Sequence, residues 1–204
     1  VANKPREGGG TAKTDKSPAM TSPATKESPK SSTQFTLSKK DAAPFLAFAN
    51  SIPDAEVFHK NDEDGKEDYG VETEPHVTAL YGLLDHSPAQ VRALLEGSGP
   101  VEFTTGKMSI FENDEYDVLK VEISGPAIHA INAKLRGLPH FSTFPDYKPH
   151  MTLAYLKKGE GKKYVGDNLF RGRKLSFDTL TFSPPSEVRK LTGRTEIRLT
   201  APAA

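Results

Sequence analysis

An α+β fold is predicted, and two observations predict it. Segments with helix-spaced apolar residues are interleaved with strand-like runs along the chain. Hairpin signals join several of the runs, so an all-parallel sheet is excluded. The elements follow in order. Residues 1–33 are almost wholly Gly, Ser, Thr, Pro, Lys and Ala, with Val1 and Met20 the only larger apolar side chains. Such a stretch buries too little to offset its ordering entropy and reads as a disordered tail or linker. The globular domain is expected over 34–204. Asp41 is a candidate N-cap for a helix carrying Phe45, Leu46 and Phe48, with Pro44 in its first turn. Residues 61–74 form an acidic loop. Pro75 to Tyr81 is a strand candidate ended by Gly82. Ser87-Pro88 opens a helix with Val91, Leu94 and Leu95 on one face, ended by Gly97.

Residues 100–111 and 116–123 alternate as strands, with Asn113-Asp114 as the hairpin turn. Pro126 starts a helix bearing Ile128, Ile131 and Leu135, ended by Gly137. An aromatic, Pro-rich loop over 138–149 runs into the strand Pro149 to Tyr155. A basic loop spans Lys157 to Lys163, and further strands are predicted at 174–182, 186–191 and 194–199.

Composition narrows the function. The 204 residues include no Cys, which excludes disulfides, thiolate zinc sites and a cysteine nucleophile. No apolar run is long enough to span a bilayer, so a soluble protein with no membrane partner is expected. The opening Val-Ala-Asn-Lys has neither an apolar leader core nor an initiator Met, and is expected to derive from processing or from a longer polypeptide. The 27 Lys+Arg balance the 27 Asp+Glu. Within that zero, the tail holds six basic and three acidic residues, leaving 21 and 24 in the body. The 61–74 loop alone has seven acidic residues and one Lys. A long-RNA binder needs a pronounced basic face, and none is visible.

The chemistry lies in a repeat. Pro75-His-Val-Thr-Ala-Leu-Tyr81 and Pro149-His-Met-Thr-Leu-Ala-Tyr155 share Pro, His, Thr and Tyr at the same places. In a strand, His and Thr two residues apart point to one face. Val77, Ala79 and Tyr81, with Met151, Leu153 and Tyr155, are then expected on the other face, so both tyrosines read as packing residues. Two His and two Thr converging on one cleft suit phosphate acid–base chemistry. One imidazole accepts a proton while the other donates, and the hydroxyls hydrogen-bond the phosphate oxygens. No metal or other cofactor is required. A zinc reading needs a third ligand, for which Glu72 and Glu74 are the candidates, but these read better as a solvated face.

Paired His-x-Thr strands in a domain of this size resemble the 2H phosphoesterase superfamily, which includes LigT-type enzymes often called 2′-5′ RNA ligases. The flanks Glu-Pro-His-Val-Thr-Ala-Leu-Tyr-Gly-Leu and Lys-Pro-His-Met-Thr-Leu-Ala-Tyr, with Gly-Lys-Lys-Tyr-Val-Gly-Asp downstream, resemble bacteriophage members most. The resemblance covers roughly residues 34–200. It implies a two-lobed, pseudo-twofold fold with antiparallel sheets, outer helices and a cleft between the lobes. It also implies metal-independent cleavage of a phosphodiester beside a ribose hydroxyl, with His76, Thr78, His150 and Thr152 as the catalytic set. The residues leave open which His is the acid. The substrate types in play are an RNA-end 2′,3′-cyclic phosphate, a 2′-5′ linkage and a cyclic oligonucleotide of the kind phage anti-CBASS enzymes destroy. The host cytoplasm is then the expected location. A nucleotide-binding module or virion-associated domain of a larger phage protein is the alternative.

The remaining candidates are weaker. Phe144 and Tyr147 stand just before the second motif and suit base stacking as well as loop packing. Lys157, with Lys158, Lys162 and Lys163, follows the same strand and suits phosphate steering or a solvated basic loop. His59, His86, His129 and His140 have no matched context and read as bystanders.

Overall fold

The computed structural model describes residues 29–60, 69–141 and 146–201. Eight strands and four helices occur among them, in the order β1 (Ser31–Thr36), α1 (Lys39–Ser51), β2 (His76–Leu83), α2 (Ala89–Leu95), β3 (Val101–Glu112), β4 (Tyr116–Ser124), α3 (Pro126–Leu135), β5 (His150–Lys157), β6 (Lys174–Phe177), β7 (Thr179–Ser183), α4 (Ser186–Thr192) and β8 (Thr195–Arg198). They form two four-stranded antiparallel sheets, β2-β1-β7-β8 and β5-β4-β3-β6. The α+β class and the two-lobed arrangement are thus as predicted. One motif strand heads each sheet, and the two motif strands lie beside each other. No described helix is long and apolar enough to cross a membrane.

A single apolar core runs under both sheets. Phe35, Phe103 and Phe177 stack at its centre, with ring centroids 4.9–5.3 Å apart. Helix α3 turns Ile128, Ile131 and Leu135 into it, the stripe its sequence predicts.

Several local expectations are corrected. The tail was expected to extend to residue 33, but β1 begins at Ser31, with Ser31 and Thr33 fully buried. Its polar sequence hides it, because Thr33 spends its hydroxyl on Leu80, accepting from N at 3.1 Å and donating to O at 3.2 Å. Residues 1–28 of that predicted tail lie outside the described residues. Ser38, not Asp41, caps α1: its Oγ accepts from Asp41 N at 3.2 Å and donates to the Asp41 carboxylate at 2.7 Å. Pro44 consequently falls in the second turn. The strand expected over 186–191 is helix α4. Pro184 and Pro185 precede it, and Val188 and Leu191 are spaced for a helix, with Leu191 88% exposed. The run 174–182 is two strands, broken at Asp178.

Candidate active site

Local sequence first sets the two imidazoles. His76 Nδ1 donates to Glu74 O at 2.8 Å, and His150 Nδ1 donates to Lys148 O at 2.8 Å. A carbonyl only accepts, so the neutral rings carry their proton on Nδ1 and leave Nε2 as the acceptor. In both cases a Pro separates the two residues and keeps the preceding residue extended. His140, after Leu138-Pro139, makes the same bond to Leu138 O at 2.9 Å. The bond is therefore a property of the Pro-His step, and the repeat exploits it twice.

The strands then place the motifs in matching registers. Thr36, Phe35 and Gln34 of β1 face His76, Val77 and Thr78 of β2. Glu122, Val121 and Lys120 of β4 face His150, Met151 and Thr152 of β5. Val77, Ala79, Met151 and Leu153 are buried in the core, while both His and both Thr are half-buried on the opposite side. The alternation predicted for the triplets is correct.

Beyond the triplets it fails, in the same way in both strands. Gln34 pairs with Thr78 but Thr33 pairs with Leu80, so Ala79 is an extra residue. Lys120 pairs with Thr152 but Leu119 with Ala154, so Leu153 is extra. Each is a β-bulge, and each inverts the parity after it. Leu80 and Ala154 turn into the core, and Tyr81 and Tyr155 turn to the side of the His and Thr residues. Tyr81 is 59% exposed and is not a core residue. Tyr155 packs instead in an aromatic group with Tyr69 and Tyr116. The bulged carbonyls are satisfied by different means. Asn132 of α3 donates from Nδ2 to Ala79 O at 2.7 Å, and Glu72 N donates to Leu153 O at 2.8 Å.

The outer edges of the motif strands are covered crosswise. Gly70 and Glu72, on the chain leading into β2, pair with Tyr155 and Leu153 of β5. Residues 139–141, leading into β5, pair with Gly82 and Leu84 at the end of β2. Gly82 is required there: its φ is +102°, and a Cβ would stand 1.9 Å from Phe141 O. Tyr147, three residues before His150, donates from its hydroxyl to Thr78 O at 2.7 Å. Its ring lies edge-on to His129, and burial pushes its phenol well above the ordinary value. Its hydroxyl thus ties the approach to the second motif onto the first. Phe144 lies outside the described residues.

The surroundings of the two imidazoles differ. A Glu72 carboxylate oxygen stands 4.0 Å from His76 Nδ1, and its other oxygen accepts from Thr73 N and Glu74 N at 2.9 and 2.8 Å. Glu72 is therefore a structured, mostly buried group and not a solvated one. Glu74 pairs with Arg194 at the surface. His150 is held below the ordinary imidazole value, first by burial and then by the neighbouring charges of Lys120 and His76. Phe111 meets the His150 ring edge-on at 4.9 Å.

Lys157 is not brought to this place. It ends β5, seven residues and roughly 23 Å along the strand from His150, and Nζ donates to Ala55 O at 2.7 Å. Lys158 pairs with the buried Asp117, Lys162 with Glu112 and Lys163 with Glu56. His59 pairs with Asp54, and His86 reaches Pro29 O. Sequence reasoning missed Lys120, Gln34 and Phe111. The available signal was a Lys inside the apolar run Val118-Leu-Lys-Val121 of a central strand.

Residues 36–180 match the family model described as 2'-5' RNA ligase superfamily. A comparison with curated proteins finds no match. Among solved structures, the chain is similar to Kluyveromyces marxianus Usb1, at TM-score 0.53 and 13% identity over 85% of this chain and 99% of that one. It is also similar to the structure of the same protein with uridine monophosphate, at TM-score 0.52 and 11% identity over 84% and 99%. At these identities the likeness establishes the fold.

Proposed function

The chain belongs to the 2'-5' RNA ligase superfamily of 2H phosphoesterases, and on that premise we propose a metal-independent phosphodiesterase that cleaves a small nucleotide phosphodiester. The observation that carries the reading is the matched geometry of the two motifs. Each presents an imidazole with its proton fixed on Nδ1 and a Thr hydroxyl beside it, on adjacent strands and on one side.

His150 is the general base. Burial and the nearby ammonium favour its neutral form, so Nε2 can take the proton of a ribose hydroxyl or a water. His76 is the general acid. Its protonated ring gives the Nε2 proton to the leaving ribose oxygen. The proton gained at one ring and lost at the other balances over the step. Thr78 and Thr152 hydrogen-bond the non-bridging oxygens as charge accumulates on them.

The substrate is a 2′,3′-cyclic phosphate, a 2′-5′ linkage or a cyclic oligonucleotide. The balanced charge supports a short or cyclic substrate over long RNA. The finer form of the proposal is a phage protein acting on cyclic oligonucleotide signals in the host cytoplasm. Its support is the likeness of the motif flanks to phage sequences.

The test is incubation in EDTA with 2′,3′-cyclic mononucleotides, 2′-5′ dinucleotides and cyclic di- and trinucleotides. Turnover of one class is expected, and its identity selects the substrate. Turnover only with added metal overturns the mechanism. Tight binding without turnover, unchanged in His150→Ala, makes the protein a nucleotide-binding module.

A further inference from the structure

Lys120 sits in the middle of β4, directly across from Thr152. Only 6% of it is exposed. Nζ donates to Ser109 Oγ at 2.6 Å and lies 4.2 Å from the centre of the Phe111 ring, the same ring that meets His150. Among the described residues no carboxylate oxygen lies within 4.0 Å of Nζ. The Glu122 carboxylate acts on it from farther away, and Lys107 and Lys148 add like charge. A buried ammonium with no carboxylate in contact is costly, and it persists where something else supplies negative charge at close range. Burial holds Lys120 below the ordinary lysine value.

The other lobe provides an internal control. Gln34 of β1 occupies the matching place, across from Thr78, and is equally buried at 7% exposure. Thr181 of β7, opposite Gln34, takes the place of Ser109, opposite Lys120 on β3. The two floors are the same polar ladder, Thr-Gln-Thr in one lobe and Thr-Lys-Ser in the other. The lobes differ at this row by one full charge, and a packing role does not call for it, since Gln34 fills the same row without it.

We infer that Lys120 is a substrate-binding residue that holds the phosphate through a non-bridging oxygen on the β5 side, so that the anion is seated toward His150 and Thr152. The neutral Gln34 lobe is left for the hydroxyl and carbonyl groups of the sugar and base. This rests on the phosphodiesterase reading above but names a residue and a polarity that reading does not contain. The ammonium supplies charge stabilisation and moves no proton.

The test compares wild type with Lys120→Met, which keeps the length and removes the charge, and Lys120→Arg. Binding of nucleoside 3′-monophosphates and of the free nucleosides is measured by calorimetry, beside turnover of the substrate panel. Lys120→Met is expected to weaken monophosphate binding at least tenfold while nucleoside binding stays within twofold. Lys120→Arg recovers part of the loss. Where a substrate turns over, kcat/KM of Lys120→Met falls at least tenfold. If monophosphate binding or kcat/KM stays within twofold in Lys120→Met, the inference is overturned even though the enzyme works. Charge-dependent binding without turnover sustains the inference and sinks the enzyme. Neither binding nor turnover in wild type overturns both. Should Lys120→Met fail to fold, phosphate titration of wild type decides by ¹⁵N NMR: a Lys120 Nζ resonance that does not move while Thr78 and Thr152 amides do overturns it.

Discussion

The two lobes share a backbone plan and differ in what stands on it. Both present Pro-His-x-Thr on an outer strand, both bulge at the residue after the Thr, and both have an inner strand in the same register. One lobe sets Glu72 beside its imidazole and Gln34 on its floor. The other sets Lys120 near its imidazole and beneath Phe111. Repeated backbone geometry gives two matched imidazoles in unequal surroundings, and under the proposed reaction the buried, Lys120-flanked His150 is the base and His76 the acid. The charge of His76 also disfavours a second proton on His150, so the pair favours a single proton, and the burial of His150 disfavours its sitting there.

The comparison can be broken most forcefully at the imidazoles. His76→Ala and His150→Ala are each expected to lower turnover ~10²–10⁴-fold, measured on whichever substrate the panel identifies. The double variant should lose little more than the worse single, since the two act in one step. Equal activity in either single variant would end the equivalence of the motifs. Thr78→Val and Thr152→Val come next. Hydrogen bonds to charged groups contribute ~1.5–3 kcal/mol, so losses of roughly 10- to 100-fold are expected, mainly in kcat. The larger loss is expected on the Lys120 side, where the phosphate is proposed to be held.

The bulges sharpen the comparison through stability. Asn132→Ala strips the side-chain donor from Ala79 O and should cost about 1–3 kcal/mol in urea unfolding, whereas Leu153 O keeps its backbone donor whatever the side chain of Glu72. The pH dependence of stability is a smaller effect. His150 has a folded value below its unfolded one, so the unfolded chain binds more protons between the two. Stability from this group is complete above the ordinary imidazole value near about 6.5 and declines as pH falls through that window. His150→Gln should flatten this part of the profile while Lys120, Lys148, Glu122 and His76 remain. The smallest effect is expected at Tyr81. Tyr81→Ser should change stability by less than about 0.5 kcal/mol, and Tyr155→Ser by clearly more, because only Tyr155 is packed among rings.

Much of this was legible in the chain. Strand parity is a local rule, so two matched His-x-Thr triplets disclosed their shared face without knowledge of any partner. Helix α3 was readable because its apolar spacing is also local. The bulges were not readable: Ala79-Leu80 and Leu153-Ala154 are ordinary strand residues with no Gly or Pro to mark an insertion. Lys120 was not readable as a site residue, because its neighbour Thr152 comes from pairing across a whole helix and loop. Tyr147 suits base stacking and loop packing alike in the sequence, and what decides is its hydroxyl bond to Thr78 O, a contact 69 residues away. Helix α4 is hard to read because only two of its seven residues, Val188 and Leu191, are apolar, too few to establish a period.

The crosswise covering of the motif strands has a mechanical consequence. Neither half of the repeat is self-sufficient: the arm before β2 closes the edge of β5, and the arm before β5 closes the edge of β2. The halves are clasped like two hands, each gripping the other's wrist. Peeling either arm bares backbone in the opposite half, so local fraying propagates across the site and does not stay on one side of it. Hydrogen exchange at Tyr155 N, bonded to Gly70 O, and at Phe141 N, bonded to Gly82 O, should therefore proceed at similar rates. A cut in one arm should loosen the histidine that arm does not carry.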